Sequence, residues 1–345
     1  MTGPAPVTAL ADPSLDPSGA ALAAASPSRR GLRLLGAIGA RVGTFVATVV
    51  GAVLVVQVLL SLAPGDAIDL LPNGEELRAG LSAEWGLDRP LPERLLATLG
   101  NLARGDLGTS LTWRPGASVA ELVADTGARS LMLLVPAHVL GVTMAALLGA
   151  WSARATAGGM RLLRLVQLGS VVPAFLAAYL LVTGINAAIW ALLERGLIER
   201  PEWFALPDTP SAVRTALAVG VLAVASGGLT EMHAACDAEL RRLRVAPFVD
   251  AARARGAAAW PVVLHNLVPH LADLAASRAA WLLGSLVVVE KLLLFSGAGA
   301  ALWQACRMRD YPVAIGITLV AAIVVAGTRL VADLVRLAVD PRLRT

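Results

Sequence analysis

Lysine is almost missing from this 345-residue chain: Lys291 is its only example, so the net charge of +4 rests on arginine. That scarcity excludes a phosphate-cradling G-x-x-x-x-G-K-[ST] loop, because Lys291 follows Val289-Glu290 and not a glycine run. The chain on this reading does not hydrolyse ATP by itself. Cysteine is nearly absent too, and Cys236 and Cys306 match no metal or redox spacing, which leaves them as packing residues. The four histidines, His138, His233, His265 and His270, form no H-E-x-x-H and stand near no ligand-spaced group of cysteine or carboxylate. No Ser-His-Asp grouping can be nominated, so an enzyme is the less favoured class. Charge of either sign is sparse, at 16% of residues against about a quarter in ordinary soluble domains. Apolar residues make up 57% and the mean hydropathy is +0.69, which together describe a polytopic membrane protein.

Six spans are predicted. Val42 to Leu62 is 21 residues without a charge, enough to cross a core of about 30 Å at about 1.5 Å per residue. Ser130 to Ala153 and Leu165 to Leu193 are likewise uncharged; Thr215 to Thr230 is shorter and can extend past Arg214 by snorkelling. An apolar stretch up to Val289, interrupted by Asp273 and Arg278, gives the fifth, and Tyr311 onward to Val339 the sixth. Arg29, Arg30, Arg33 and Arg41 precede the first span, and Arg154, Arg161 and Arg164 lie without acids between the second and third. The positive-inside rule puts both groups, and by parity both termini, in the cytoplasm. Residues 1–30 read as a disordered cytoplasmic tail, 31–62 as the segment of the first span, 63–129 as an extracytoplasmic helical segment, and 130–345 as the core. A cleaved signal peptide fits poorly, since the first apolar run is too long for an h-region.

The outward segment contains "PERLLATLGNLARGD", in which Leu95, Leu96, Leu99 and Leu102 share a helical face; it is expected to form a cap, either a docking surface or only a packed lid. Between the fourth and fifth spans sits a basic, alanine-rich insert, "LRRLRVAPFVDAARARGAAAWPVVLHNLVPH". Pro247 suits a first helical turn, Gly256 a left-handed stop, and Pro261 the start of another helix. A short helix near 247–261 results, with Ala251, Ala252 and Ala254 allowing close approach and Arg253 and Arg255 offering charge. Residues alone leave two readings for it: a docking peg for a partner, or a helix lying on anionic headgroups.

Within it, "DAARARG", Asp250 to Gly256, resembles the cytoplasmic motif of permease subunits of binding-protein-dependent ABC importers. "APGDA" (Ala63 to Ala67), "LDRPLPERLLATLGNLARGDLGTSL" (Leu87 to Leu111), "SVVPAF" (Ser170 to Phe175), "LGSLVVVE" (Leu283 to Glu290), "RDYPVAIG" (Arg309 to Gly316) and "DPRLR" (Asp340 to Arg344) are similar, in order, to the dipeptide/oligopeptide/nickel branch of that family. The resemblance implies an all-α membrane protein of six transmembrane helices with the type I importer (MetI-like) permease fold, set in the bacterial inner membrane. It implies that the insert is a coupling helix, with Phe248, Asp250, Ala251, Ala252, Arg253, Arg255 and Gly256 meeting a cytoplasmic ATPase subunit. The partners implied are a second permease, ABC ATPase subunits that hold the ATP and Mg, and an extracytoplasmic solute-binding protein. No cofactor belongs to this chain, and di- or oligopeptides are the implied cargo, ahead of nickel. There are departures: the run after Gly256 is shorter than in the family, the family's "PGLG" appears as "GAGA" (Gly297 to Ala300), and Asp273 and Arg278 are atypical, both expected at the cytoplasmic interface. A proton-coupled secondary transporter using Asp273, Arg278 or His138, and a permease-like protein that has lost transport, are the competing readings.

Overall fold

Leucine, valine and alanine dominate long uncharged runs here, and in lipid such runs have one economical solution, a helix that satisfies its own backbone. The structure, a computed structural model, describes residues 27–71, 74–152, 157–199, 212–226 and 228–339. The "DPRLR" tail, Arg154, most of the acidic connection near 194–208 and nearly all of the expected N-terminal tail lie outside the described residues. Among them are twelve helices: α1 (Pro27–Leu62), α2 (Gly74–Glu84), α3 (Leu91–Ala103), α4 (Val119–Ser152), α5 (Ala157–Ser170), α6 (Ala174–Glu194), α7 (Ala212–Val224), α8 (Gly228–Arg244), α9 (Pro247–Ala254), α10 (Ala259–Leu292), α11 (Ala298–Arg307) and α12 (Tyr311–Val339). Helices α1, α4, α6, α10 and α12 are each long and apolar enough to span a membrane, and α7 with α8 makes a sixth when the bent pair is counted as one span. Outward-facing Val46, Val55, Leu176 and Leu180 are more than a third exposed, as a surface covered by acyl chains requires.

The boundaries differ from the sequence reading in three places. Helix α1 opens at Pro27, inside the stretch expected as tail, with proline at the one position where its missing amide is harmless. Helix α4 opens at Val119, so the end of the expected outward segment is its first turns. The single span expected over 165–193 is two helices, α5 and α6, because Pro173 has no amide to donate and pushes Val172 out of the helical region. The fourth span is broken as well: its halves meet at 49° and continue to Arg244, well beyond Thr230.

Packing centres on α4, α10 and α12. Leu133, Leu134 and Ala137 of α4 meet Leu222 of α7 and Leu282 and Leu286 of α10. Buried Ala137, Gly141, Ala145 and Gly149 recur every fourth residue along α4 and make a small-residue stripe that admits α7 and α8. A Cβ on Gly141 would stand 3.1 Å from the Ala223 carbonyl oxygen, and one on Gly149 3.1 Å from the Cys236 Cβ.

At the end of the bundle away from α9, two buried acids tie the irregular segments down. The fully buried Asp310 carboxylate accepts hydrogen bonds from the Ser110 hydroxyl (2.5 Å) and the amides of Leu111, Thr112 and Trp113 (3.0–3.1 Å). The equally buried Glu290 accepts from the Ser130 hydroxyl and the Ala300 amide (3.0 Å), which seats the first turn of α11. A Cβ at Gly297 would come within 2.1 Å of the Glu290 carboxylate, so a larger residue in place of the first glycine of "GAGA" would require the carboxylate to shift. Gly65, in the left-handed region at φ +76°, leaves room for the Arg309 guanidinium, which donates to the Asp66 carbonyl and the Asp69 carboxylate (both 3.1 Å); Arg78 bonds Asp66 and Asp69 as well. The "APGDA" and "RDYP" stretches, about 240 residues apart, are thus one contact.

Two outcomes are expected. Asp310→Ala strands four donors and should destabilise the detergent-solubilised protein by about 3 kcal/mol, read as a drop in the thermal midpoint by size-exclusion fluorescence; an unchanged midpoint would contradict the tie. The Asp69 carboxyl is held below its ordinary value of 3.8 by the Asp66 amide and by Arg78 and Arg309. Because its folded value is depressed, the stabilisation is fully present above pH 3.8 and is lost as pH falls through the lower folded value. Hydrogen exchange over 65–80, corrected for intrinsic rates, should therefore stay protected at pH 5 and open only below that window.

Candidate functional site

The insert folds as its punctuation predicts. Ala246 is extended, Pro247 occupies the first turn, and α9 ends at Ala254; the amides of Gly256 and Ala257 then close the end on the Arg253 and Ala252 carbonyls (2.9 and 3.0 Å). Gly256 is left-handed at φ +77°, with nothing within 4 Å of a Cβ placed there, so a side chain would meet conformational strain and no collision. Pro261 falls in the first turn of α10.

Only part of α9 is free to meet anything. Val249 is buried against Leu240 and Leu243 of α8 and Val263 and Leu267 of α10, and Ala252 is buried as well. Ala252, expected among the small residues facing a partner, is turned into the chain's own bundle. Phe248, Ala251 and Arg255 lie along the outer side, with Asp250 and Arg253 paired beside them at 2.9 Å. At 41% exposed, Phe248 presents a large apolar ring to the outside. Arg244 stacks over the Trp260 ring at 5.7 Å and braces α8 to α10 at the root of α9.

Helix α8 is fastened all along its length. The Ser152 hydroxyl of α4 donates to Asp237 (2.8 Å), His270 of α10 meets the Ala235 carbonyl (3.2 Å), and Gln167 of α5 meets the His233 ring (2.9 Å).

The α7–α8 break faces the α5–α6 break. The Ser226 amide donates to the Val172 carbonyl (2.8 Å), and the Ser226 hydroxyl accepts from the Ala174 amide (2.9 Å). Ser226 itself is left-handed, φ 60°. Arg278, expected at the cytoplasmic interface, is instead only 6% exposed and donates to the Leu222 and Ala225 carbonyls (3.3 and 3.1 Å) that α7 leaves open. A Cβ at Gly228 would stand 1.9 Å from the guanidinium carbon, so any larger residue there requires Arg278 to leave this position. Asp273 pairs with Arg336 of α12 and not with Arg278. No hydrogen bond or ion pair joins Asp273, Arg278 and His138 among the described residues. The sequence flagged Arg278 as an odd charge, but its role was not visible there, because the carbonyls that it caps lie more than fifty residues away.

A helical membrane bundle of six spans, carrying a short helix on an otherwise closed end and two mutually supporting breaks in its interior, is the architecture of a transport subunit. The chain belongs to the family described as "Binding-protein-dependent transport system inner membrane component", whose profile matches residues 140–345. It is 30% identical over 302 residues to a peptide permease protein of Brucella ovis, covering 84% of this chain and 93% of that one. It is also 27% identical over 317 residues to the dipeptide transport system permease protein of Lactococcus lactis, covering 88% and 97% of the two chains. With the oligopeptide transport system permease protein of Bacillus subtilis it shares 25% identity over 298 residues, 83% of this chain and 92% of that one.

The Arg278–Gly228 fit is open to a double-mutant cycle. Gly228→Ala should destabilise the native protein, and should be nearly harmless once Arg278 is replaced by Ala, giving an interaction of about 1 kcal/mol or more in thermal unfolding. Strictly additive effects would show that the two positions do not touch.

Proposed function

We propose that this chain is one permease subunit of an ATP-driven importer of di- and oligopeptides. It pairs with a second permease in the bacterial cytoplasmic membrane and is served by an extracytoplasmic binding protein. Partner ATPase subunits hold ATP and Mg, and both termini of this chain face the cytoplasm with α9. The observation that carries the coupling part is the form of α9: eight residues, anchored at both ends, with Phe248, Ala251 and Arg255 on its free side. The peptide cargo is supported by the names of the relatives from Lactococcus, Bacillus and Brucella.

The peg works mechanically. A partner that closes on nucleotide grips the free side of α9; its buried side passes the displacement to α8 and α10. Gripping favours one arrangement of the spans, and that arrangement favours gripping by the same factor, because coupling between sites is reciprocal. The bidirectional requirement explains a helix fixed at both ends: a loose one would absorb the displacement. Arg253 held by Asp250 stiffens the free side, while Arg255 is left to meet an acidic surface.

In proteoliposomes holding the complete transporter, peptide uptake should require internal ATP and survive a protonophore. Gly256→Val should insert normally and lower binding-protein-stimulated ATPase at least fivefold, since about 1–2 kcal/mol of backbone strain is placed at the end of the peg. Phe248→Ala should do the same without strain. Uptake that collapses with the protonophore, or that ignores both substitutions, would remove the assignment.

A further inference from the structure

At the end of the bundle remote from α9, the only lysine in the chain, Lys291, has no carboxylate partner among the described residues. Lys291 lines a cavity of about 280 Å³ with Trp113, Arg114, Asp125, Arg129 and Glu290 among its walls. Three cations therefore face two carboxylates, and both carboxylates are already engaged. Asp125 is bonded by Arg129 (3.0–3.1 Å), and Glu290 by the Ser130 hydroxyl and the Ala300 amide. What remains is Lys291 and Arg114, the latter stacked over the Trp113 ring at 5.1 Å, which leaves the guanidinium edge free to donate.

A second cavity of about 260 Å³ adjoins the first through Arg129, Leu294, Phe295 and Ser296, and adds Met132, Leu133 and Thr215. It is the more apolar of the two. Leu294 belongs to both, is 59% exposed, and sits in the left-handed region at φ 57°. A branched residue there is strained where glycine would be at ease. The strain is held by the bond from the Phe295 amide to the Glu290 carbonyl (2.8 Å), which closes the end of α10. A large side chain kept in a strained conformation between two chambers marks a place where contact with something is needed.

We infer that this pair of chambers is an entry site for the carboxyl-terminal end of a peptide, with the free carboxylate at Lys291 and Arg114 and the last side chain in the apolar chamber beside Leu294 and Phe295. Each chamber is close to the lower end of small-molecule sites, about 300 Å³, which suits one or two residues. The inference rests on the peptide reading above and deepens it by naming the end of the peptide that this chain recognises. A charge-assisted pair in a half-enclosed site should give about tenfold preference for a free carboxylate over its neutral amide.

The test is equilibrium binding of radiolabelled Ala-Phe and of Ala-Phe amide to the full transporter, trapped with nucleotide and freed of the binding protein, whose own selectivity is thereby removed. The native protein should bind the acid about tenfold more tightly than the amide. Lys291→Gln with Arg114→Gln should abolish that preference while leaving amide binding unchanged, which also shows the variant to be folded; Lys291→Arg should restore most of it. The acid-to-amide contrast separates a peptide carboxylate from a lipid phosphate, since an adventitious lipid in the cavity would not distinguish the two probes. A preference that survives the double substitution, or no preference in the native protein, overturns the inference. Ala-Phe uptake by the native transporter in proteoliposomes is measured alongside: its presence keeps the peptide reading standing when the site fails, and its absence removes that reading as well.

Discussion

Inside a bilayer, a backbone group without a partner has no water to turn to, and this fold has two places where helices stop within the bundle. The freed groups at the two breaks are satisfied by each other and by one charged side chain. Val172 and Ala174 on one side of the first break bond Ser226 in the second, and Arg278 takes the carbonyls of Leu222 and Ala225. Neither break can move alone, because each holds the other's hydrogen bonds. An arginine within a bilayer is costly unless it faces the bundle and finds backbone or water. Here it finds backbone, and Gly228 is the space that it needs.

The arrangement gives the transporter reading its physical content. Helix α8 is joined to α9 by only Val245 and the extended Ala246, and α9 meets α10, whose far end carries Glu290 and the outer cavity. Rigid elements joined at two coupled breaks are suited to a pair of discrete arrangements rather than to gradual bending, since packed interiors resist continuous deformation. Helix α10 runs from the root of α9 past the Arg278 clasp to the opposite end, so one rigid element touches all three places.

Much of this was legible in sequence where the signal is local. Pro247, Gly256 and Pro261 mark the ends of α9 and the start of α10 because proline and glycine act on their own backbone. The apolar runs gave the spans for the same reason. Long-range partnerships left no local trace: Asp310 reads as an ordinary acid beside a tyrosine, although its four donors come from residues two hundred positions earlier. Leu96 illustrates a subtler miss. It shares a helical face with Leu95, Leu99 and Leu102 on paper, yet it is 70% exposed while the other three are partly buried, because α3 rests on a narrower strip than a four-residue pattern implies. Ala252 is buried, and an alanine carries no mark in sequence of the side to which it turns.

The shortened run after Gly256 is the feature that most separated this chain from its resemblance, and it pointed towards a coupling element that had decayed. The connector is four residues, Arg255 to Ala258, between Ala254 at the end of α9 and Ala259 at the start of α10, with Pro261 in that helix's first turn. Helix α9 keeps its eight residues, its left-handed stop and its buried pair, Val249 and Ala252. A connector this short leaves few rotatable bonds between α9 and the root of α10, and conformational freedom in a loop adjoining a mechanical element works against transmission. The punctuation and the anchorage that a peg requires are both present around α9.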